Sequence, residues 1–187
     1  MRAVGFKEFG DPEVLEVMDI PEVYANQGEI RIKNYASAVN PTDIVSRSGL
    51  IAQFRKDYPL PAVPGMDISG IVDQVGEGVE TGVSIGDQVM GMVIPNSLHG
   101  AYSEQITLNQ FAVVKAPKGF SFVESATLPM NGLTARLSLD LLNLTKGQVV
   151  AVTGGPGAYG GYVIQLAKAD GLIVIADSNE SDCLLYT

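Results

Sequence analysis

The feature that most constrains the fold is a glycine-rich turn near the end of the chain. An apolar run at residues 149–153 leads directly into the sequence GGPGAYGG at residues 154–161. This turn reads G-x-G-x-x-G at Gly155, Gly157 and Gly160, and a helical pattern follows it. Strand, glycine turn and helix in this order are the context in which such glycines bind a dinucleotide. A generic glycine-rich turn between a strand and a helix is the alternative.

Each glycine of the turn has a predicted role. Gly155 permits the tight turn, Gly157 lets the backbone approach a pyrophosphate, and Gly160 lets the helix pack against the strand. The helix N-terminus adds unpaired N–H groups and the positive end of the helix dipole. A second apolar run at residues 172–176 predicts the next strand of a parallel sheet. The turn is therefore predicted to hold phosphates without a charged side chain.

Composition and charge limit the partners. The 187 residues are 46% hydrophobic and carry a net charge of −9, which suits a soluble globular protein with a sizeable core. The sequence has no basic block, so neither nucleic acid nor an anionic membrane surface is an expected partner. The single cysteine, Cys183, excludes an internal disulfide, and no signal peptide or long apolar span is present. The cytoplasm is therefore the expected compartment.

Short strands separated by glycine and proline turns dominate residues 1–120. Strict alternation of polar and apolar residues over positions 29–33 predicts a half-buried antiparallel strand. The predicted strands are residues 2–6, 14–19, 29–35, 68–75, 88–93 and 101–115. This part of the chain is predicted to be an all-β barrel domain.

Helical signals dominate residues 121–187. Ser121 and Glu124 fit a capping box, and the helix that they start is predicted to end before Pro129. Leucines then recur at helical spacing from Leu133 to Leu142, ahead of the strand that enters the glycine turn. The order helix, strand, helix, strand is the opening of a doubly wound parallel α/β sheet.

Four motifs stand in a fixed order over nearly the whole chain. They are AVNPTD at 38–43 with RSG at 47–49, PGMDISG at 64–70, LPMNGLTA at 128–135, and the glycine turn with QLAK at 165–168. Together they resemble the medium-chain dehydrogenase/reductase superfamily, most closely its zinc-independent quinone reductase (zeta-crystallin-like) branch. The resemblance implies an α/β protein with a GroES-like β-barrel domain at residues 1–120 and the first part of a Rossmann doubly wound parallel sheet at 121–187. It also implies that this chain is truncated, because later segments complete both domains in the family.

Zinc-dependent members of the superfamily place metal ligands where this chain differs. They have a cysteine at the position of Asn40 and a His-Glu pair at the positions of Met66 and Asp67. Zinc prefers thiolate, imidazole or carboxylate ligands in a tetrahedral arrangement, so no metal site is predicted. Their four-cysteine structural zinc loop is also missing, since Cys183 is the sole cysteine. His99 has no nearby cysteine or histidine and is predicted to be a solvated loop residue.

A site without zinc favours conjugated acceptors. Hydride delivery to an isolated ketone builds alkoxide charge that a Lewis acid would stabilise, whereas a quinone or an enone spreads the charge onto an enolate-like oxygen. The resemblance thus implies a reductase that passes hydride from NADPH to a quinone or other α,β-unsaturated carbonyl. Two alternatives stay open: an enal or enoyl-thioester reductase, and a non-catalytic binding protein or inactive fragment.

Three catalytic candidates follow from the resemblance. Asn40 would face the nicotinamide or the substrate carbonyl, or would cap a helix that begins at Pro41. Asp43 would form an i,i+4 ion pair with Arg47 that shapes the pocket. Thr134 would lie near the nicotinamide, with an exposed helix hydroxyl as the alternative.

The cofactor-binding candidates lie in three places. They are Asn131, then Gly154, Gly155, Pro156, Gly157, Ala158, Tyr159 and Gly160 of the turn, and Asp177 and Ser178 after the second strand. By the family pattern Ser178 holds the position that discriminates the two cofactors, and a small polar residue there leaves room for the 2′-phosphate of NADP(H). NADP(H) is therefore expected ahead of NAD(H), although the acids Asp177, Glu180 and Asp182 oppose an extra phosphate. The resemblance also implies a homodimer for the full-length protein.

Overall fold

The structure, a computed structural model, describes residues 1–53 and 58–179. It divides into two compact units, Met1–Pro129 and Met130–Thr187. The predicted domain boundary at residue 120 precedes the helix Phe122–Ala126, whereas the first unit includes this helix. The reason is packing, because the helix contacts strands of the first unit.

Strands are the main regular elements in the described part of the first unit. They are β1 (Arg2–Gly5), β2 (Glu16–Asp19), β3 (Glu29–Ala36), β4 (Asp67–Val75), β5 (Gln88–Met92), β6 (Gln105–Asn109) and β7 (Val113–Lys115). β1 pairs with β2, and the other strands form a five-stranded antiparallel sheet in the order β6-β3-β4-β5-β7. All five strands of this sheet contribute to one apolar core, as the predicted barrel requires.

The alternation predicted at residues 29–33 is confirmed in β3. Ile30 and Ile32 are fully buried, and their neighbours on the strand are not. β3 lies between β4 and β6, so its inward residues are covered by both neighbours and by the core beneath. β3 is therefore an interior strand of the sheet, and its inward residues belong to the core of the first unit.

Two predicted strands are interrupted or shortened. The segment at 101–115 forms β6 and β7, separated by a 3-10 turn, Gln110–Ala112. The Asn109 side chain accepts a hydrogen bond from the Phe111 N–H at 3.0 Å and so favours a turn over a continuous strand. β2 begins at Glu16 because Pro12–Val14 also form a 3-10 turn.

Two short helices belong to the first unit, α1 (Pro41–Arg47) and α2 (Phe122–Ala126). The predicted capping box of α2 is confirmed. The Glu124 N–H donates to Ser121 Oγ at 3.2 Å, and the Ser121 N–H donates to Glu124 Oε2 at 2.8 Å. Both bonds satisfy N–H groups that lack partners within the helix.

The second unit has the predicted order of helix, strand, helix and strand. Its elements are α3, which begins at the boundary (Pro129–Leu142), β8 (Val149–Val152), α4 (Ala158–Ala169) and β9 (Ile173–Ala176). β8 and β9 are parallel, with Val149 opposite Ile173. The opening of a doubly wound parallel sheet is therefore confirmed.

The two faces of this small sheet differ in burial. Val150 and Val152 are buried with residues of α3 and α4, whereas Val149, Ile173 and Ile175 are exposed. Within the described residues, the helices thus cover one face of the β8-β9 pair. No helix of residues 1–53 and 58–179 is long and apolar enough to cross a membrane.

Candidate functional site

The glycine turn connects β8 to α4 in the second unit. Gly154 has a φ of +68°, in the left-handed region that favours glycine. The Gly157 N–H donates to the Gly154 carbonyl at 3.0 Å and closes the turn, and Gly157 is the N-cap of α4. The chain therefore reverses within a few residues and enters α4 directly after the turn.

Two glycines of the turn have no room for a side chain. A Cβ added at Gly160 would lie 2.3 Å from the Gly154 oxygen and 3.0 Å from the Gly155 Cα. At Gly155 it would lie 2.9 Å from the Asp177 oxygen, at the end of β9. Gly160 thus brings the start of α4 against the turn, and Gly155 brings the turn against the residue after β9. The left-handed φ of the turn lies at Gly154 and not at Gly155, where the sequence predicted the tight turn.

A cavity of about 380 Å³ opens beside the turn, and six residues line it: Gly154, Pro156, Gly157, Asp177, Ser178 and Asn179. Most of these were cofactor-binding candidates from the sequence. Asp177 Oδ1 accepts a hydrogen bond from the Gly154 N–H at 2.5 Å. The Asp177 carboxylate thus points toward the glycine turn. Ser178 lines the same cavity.

The other cofactor candidates lie on the two helices of the second unit. Tyr159 is the second residue of α4, directly after Ala158, and its hydroxyl donates to Ser138 Oγ on α3 at 2.7 Å. Asn131 lies in the first turn of α3 and is partly exposed. Thr134 is exposed, and its hydroxyl donates to the Met130 carbonyl at 2.6 Å. Thr134 is thus an exposed hydroxyl on a helix, and its place near the nicotinamide stays a prediction.

A buried polar cluster brings Asn40 and Asp43 together in the first unit. The Asn40 N–H donates to Asp43 Oδ2 at 2.8 Å, and the Gly65 N–H donates to Asp43 Oδ1 at 2.9 Å. Asn40 is the N-cap residue of α1, with Pro41 in the first helical position, as predicted. The Asp43 carboxylate therefore joins the start of α1 to the segment that leads into β4.

Asp67 completes the cluster from the first position of β4. Its Oδ2 accepts a hydrogen bond from Asn40 Nδ2 at 2.6 Å. Asn40 is 3% exposed and Asp67 is fully buried. The side chain of Asn40 is thus held by one carboxylate and its backbone by another.

The predicted ion pair between Asp43 and Arg47 is wrong. Arg47 instead donates to the Gly10 carbonyl, and Asp43 accepts from the Asn40 and Gly65 amides and from the Tyr102 hydroxyl. The i,i+4 spacing permits the pair on an isolated helix. Buried backbone donors compete for the carboxylate, and leaving them unpaired would cost more than a surface ion pair gains.

Sequence reasoning missed Tyr102 as a member of the cluster. Its hydroxyl donates to Asp43 Oδ2 at 3.1 Å. Burial raises the pKa of the Tyr102 phenol, and the nearby Asp43 charge raises it further. A tyrosine 59 positions away carries no local signal of this contact, although its place between Ala101 and Ser103 in a predicted strand showed that one face would be inward.

The donor set around Asn40 does not fit zinc. It offers an amide at Asn40, a thioether at Met66 that accepts from the Thr42 hydroxyl at 3.2 Å, and an Asp67 carboxylate that is bonded to Asn40. Tetrahedral zinc sites use thiolate, imidazole and carboxylate. Within residues 1–53 and 58–179, no group of three or more His, Cys, Asp or Glu residues could hold a metal ion.

His99 differs from its predicted state. It is half-buried beside a cavity of about 210 Å³ that Met1, Ile20 and Leu98 also line. Burial lowers the pKa of its imidazole, and the distant Glu29 charge opposes this effect. The loop residue is therefore not fully solvated. Cys183, Glu180 and Asp182 lie outside the described residues.

Residues 26–134 match the family described as alcohol dehydrogenase GroES-like domain. The chain is 35% identical over 177 residues to a 2-methylene-furan-3-one reductase of Solanum lycopersicum, covering 90% of this chain and 44% of that protein. It is 33% identical over 177 residues to an NADPH-dependent alkenal/one oxidoreductase, chloroplastic, of Arabidopsis thaliana, with the same coverage of 90% and 44%.

A solved structure of the quinone oxidoreductase from Coxiella burnetii is also similar. Its TM-score is 0.86 at 34% sequence identity, over 99% of this chain and 58% of that one. The chain thus spans about half the length of the relatives that it matches. The likeness extends over both units, because nearly all residues of this chain are covered.

Proposed function

Because this chain belongs to the alcohol dehydrogenase GroES-like domain family, we propose that it is part of an NADPH-dependent reductase of quinones or other α,β-unsaturated carbonyls, in the quinone reductase branch of the medium-chain dehydrogenase/reductase superfamily. The activity belongs to the whole protein, since the chain spans about half the length of its relatives. The names of those relatives, a furanone reductase, an alkenal/one oxidoreductase and a quinone oxidoreductase, support this acceptor class.

The observation that carries the proposal is the shape of the glycine turn. The turn exposes backbone at Gly154 and Gly157 beside a cavity of about 380 Å³ and ends in the first amides of α4. Backbone N–H groups and the positive end of a helix dipole stabilise a pyrophosphate. The residues present therefore fit a dinucleotide, and Gly154, Gly157 and Ala158 would contact its phosphates.

NADP(H) fits the end of β9 better than NAD(H). An acid whose carboxylate faces the ribose hydroxyls favours NAD(H). The Asp177 carboxylate bonds the Gly154 N–H at 2.5 Å, so one of its oxygens is already engaged with the turn. Ser178 then offers a small hydroxyl at the position that discriminates the two cofactors. The NADPH dependence of the Arabidopsis relative supports the same choice.

When bound, the nicotinamide supplies a hydride to the conjugated carbon of the acceptor, and a proton from solvent completes the reduction. The role of this chain is to bind the cofactor and to orient it toward the acceptor. Asn40 would contact the nicotinamide or the acceptor carbonyl through an amide that Asp43 and Asp67 hold in place. Asp43 acts here by shaping the site, because both of its oxygens accept hydrogen bonds from the protein. Thr134 is the other proposed contact near the nicotinamide.

The reaction that we propose is independent of zinc. The support for this is the donor set of amide, thioether and engaged carboxylate at Asn40, Met66 and Asp67. A conjugated acceptor suits such a site, because charge spread onto an enolate-like oxygen is stabilised by hydrogen-bond donors.

The test is turnover by the whole protein of which this chain forms a part. We expect NADPH oxidation with panels of quinones and cyclic enones, none with isolated ketones, and no loss of rate after dialysis against a zinc chelator. Absence of oxidation with both conjugated panels would contradict the proposal, as would a preference for isolated ketones. The variant Gly160→Val serves as the control that lacks an intact glycine turn.

Two further properties belong to the proposal. We propose a homodimer, which light scattering of the whole protein after size-exclusion chromatography would test. A cytoplasmic location is proposed as well, and fluorescence microscopy of the tagged whole protein in its native cells would test it. The Arabidopsis relative is chloroplastic by name, so an organelle is the outcome that would contradict the second proposal.

A further inference from the structure

A hydrogen bond joins the two helices of the second unit beside the glycine turn. The Tyr159 hydroxyl on α4 donates to Ser138 Oγ on α3 at 2.7 Å. Ser138 has one hydroxyl proton and donates it to the Thr134 carbonyl at 2.8 Å. The direction of both bonds is therefore fixed, and they run from the first turn of α4 to the turn of α3 that carries Thr134.

The apolar contact between these helices does not by itself fix their register. Ala135 and Leu139 of α3 share a core with Val163 and Ala167 of α4. Burial of apolar surface is non-directional, and alanine has no long side chain to interlock with a facing helix. A hydrogen bond between two hydroxyls depends on distance and angle, so it adds a restraint along the helix axes.

A second polar link joins α3 to the opposite end of α4. Arg136 Nη1 donates to Asp170 Oδ2 at 2.7 Å, and Asp170 is the C-cap residue of α4. Both side chains are partly exposed, and arginine has high rotamer entropy, so this pair restrains the helices only loosely. Tyr159 has a rigid ring and two side-chain torsions, and it lies two residues after Gly157, the N-cap of α4. The more rigid of these two links is thus the one beside the glycine turn.

The two ends of the Tyr159–Ser138 bond lie next to different parts of the proposed cofactor site. Gly157 and Ala158, immediately before Tyr159, would contact the phosphates. Thr134, one helical turn before Ser138, would lie near the nicotinamide. A dinucleotide makes both contacts at once only while α3 and α4 keep a single register.

We propose that Tyr159 is a positioning residue that, through Ser138, fixes the register of α3 on α4 and so sets the spacing between the phosphate and nicotinamide contacts. This inference rests on the proposed function, because it requires NADPH to bind at the glycine turn and near Thr134. The Tyr159 hydroxyl acts on the cofactor indirectly. Its loss lowers the fraction of molecules in the competent register, and the affinity for NADPH falls in proportion.

The experiment compares two ligands of the whole protein by isothermal titration calorimetry. They are NADPH and 2′-phospho-ADP-ribose, which is the same molecule without its nicotinamide. The variants are Tyr159→Phe, Ser138→Ala, Ser138→Thr and the pair Tyr159→Phe with Ser138→Ala. Asp170→Asn is the matched control, because it weakens the other polar link between the same helices. Thermal unfolding confirms that each variant folds.

We expect Tyr159→Phe and Ser138→Ala each to raise the dissociation constant of NADPH by about fivefold, the effect of one hydrogen bond. The dissociation constant of 2′-phospho-ADP-ribose should stay within about twofold, because this ligand lacks the group that Thr134 would contact. The pair should lose no more than either single variant, since both substitutions break the same bond. Ser138→Thr keeps an acceptor oxygen and should match the wild type, and Asp170→Asn should change neither constant.

A purely structural role predicts a different pattern. Equal losses for both ligands in Tyr159→Phe would overturn the inference, as would losses that multiply in the pair or an effect of equal size in Asp170→Asn. NADPH binding that is unchanged in Tyr159→Phe would overturn it as well and would leave the proposed function standing. A wild type that binds neither ligand would instead defeat the proposed function, and the inference with it.

Discussion

The two units hold their candidate residues by opposite means. In the first unit, the side chains of Asn40, Asp43 and Asp67 lie buried in a network of hydrogen bonds. In the second, the glycine turn is closed by a backbone hydrogen bond from Gly157 to Gly154, the Asp177 carboxylate accepts from the Gly154 N–H, and Gly154 and Gly157 are exposed. The site in the first unit depends on polar side chains, whereas the turn in the second unit depends on glycines, which have no side chain.

The apolar cores of the two units also differ, in how completely they are enclosed. Five strands of the first unit contribute to one core that contains fully buried residues such as Ile30, Ile32 and Ile68. In the second unit, two described strands are covered on one face by helices, and Ile173 and Ile175 on the other face are exposed. The buried polar cluster depends on a well-packed core around it, whereas the glycine turn depends mainly on its local backbone conformation.

The largest expected effect tests the difference between the cores. Ile32→Ala should lower the free energy of unfolding of the first unit by about 2–5 kcal/mol, because its side chain is fully buried on β3, an interior strand of the sheet. Leu139→Ala in α3, 3% exposed, should cost about 2 kcal/mol, since the less enclosed second unit can relax. Hydrogen exchange measured for each unit in urea would separate the two values. An equal or larger loss for Leu139→Ala would contradict the contrast.

The next effect tests the dependence on an absent side chain. Gly160→Val should weaken NADPH binding by at least about 100-fold, roughly 2.7 kcal/mol, because its Cβ would lie 2.3 Å from the Gly154 oxygen. Isothermal titration calorimetry on the whole protein measures this. Gly132→Ala is the matched stability control, since nothing lies within 4 Å of an added Cβ there. A cofactor affinity in Gly160→Val close to that of the wild type would show that the turn does not carry binding.

A smaller effect tests the buried network. Tyr102→Phe removes the hydroxyl that donates to Asp43 Oδ2 at 3.1 Å and should cost about 1 kcal/mol at neutral pH. Burial and then Asp43 raise the pKa of Tyr102 above its unfolded value of about 10. Its stabilising contribution is therefore complete below about pH 10 and is lost as the pH rises further. Unfolding in urea from about pH 8 to pH 11 should show the difference between wild type and variant shrinking. A difference that is independent of pH would break this account.

The smallest effect tests the charge beside the exposed turn. Asp177→Asn keeps an acceptor for the Gly154 N–H and removes the negative charge, so the preference for NADPH over NADH should rise by about threefold. Solvent and salt screen an exposed charge, which keeps the effect small. Dissociation constants of both cofactors give the ratio. Asp140→Asn on α3 serves as the control, and an equal change in both variants would assign the effect to net charge.

Most of the fold could be predicted from local patterns. Alternation at residues 29–33 predicted β3, Ser121 and Glu124 predicted the start of α2, and the glycine turn predicted the β8-α4 connection. Helical spacing of leucines predicted α3 but not its buried face, which Ala135 and Leu139 supply while Leu137 is exposed. Periodicity fixes which residues share a face and leaves open which face the rest of the chain covers.

The sequence predicted two residues of the buried cluster, Asn40 and Asp43, and missed the other two and most of the contacts. Asn40 and Asp43 stand in one motif, and their short separation makes a local contact easy to expect. Asp67 and Tyr102 join them from 27 and 59 positions away, which no local pattern reports. The predicted Asp43–Arg47 pair failed for the same reason, because a distant backbone amide at Gly65 is the better partner.

The hydrogen bonds made by Asp43 bear on which side chains can replace Asn40. Two of its partners are main-chain amides, at positions 40 and 65, and a main-chain amide is nearly the same whatever side chain it carries. The two bonds to Asp43 therefore place few demands on the side chain at position 40, whereas Asp67 needs a hydrogen-bond donor there, which the Asn40 amide supplies. A substitution at position 40 that keeps a donor can thus leave the main-chain bonds of Asp43 unchanged.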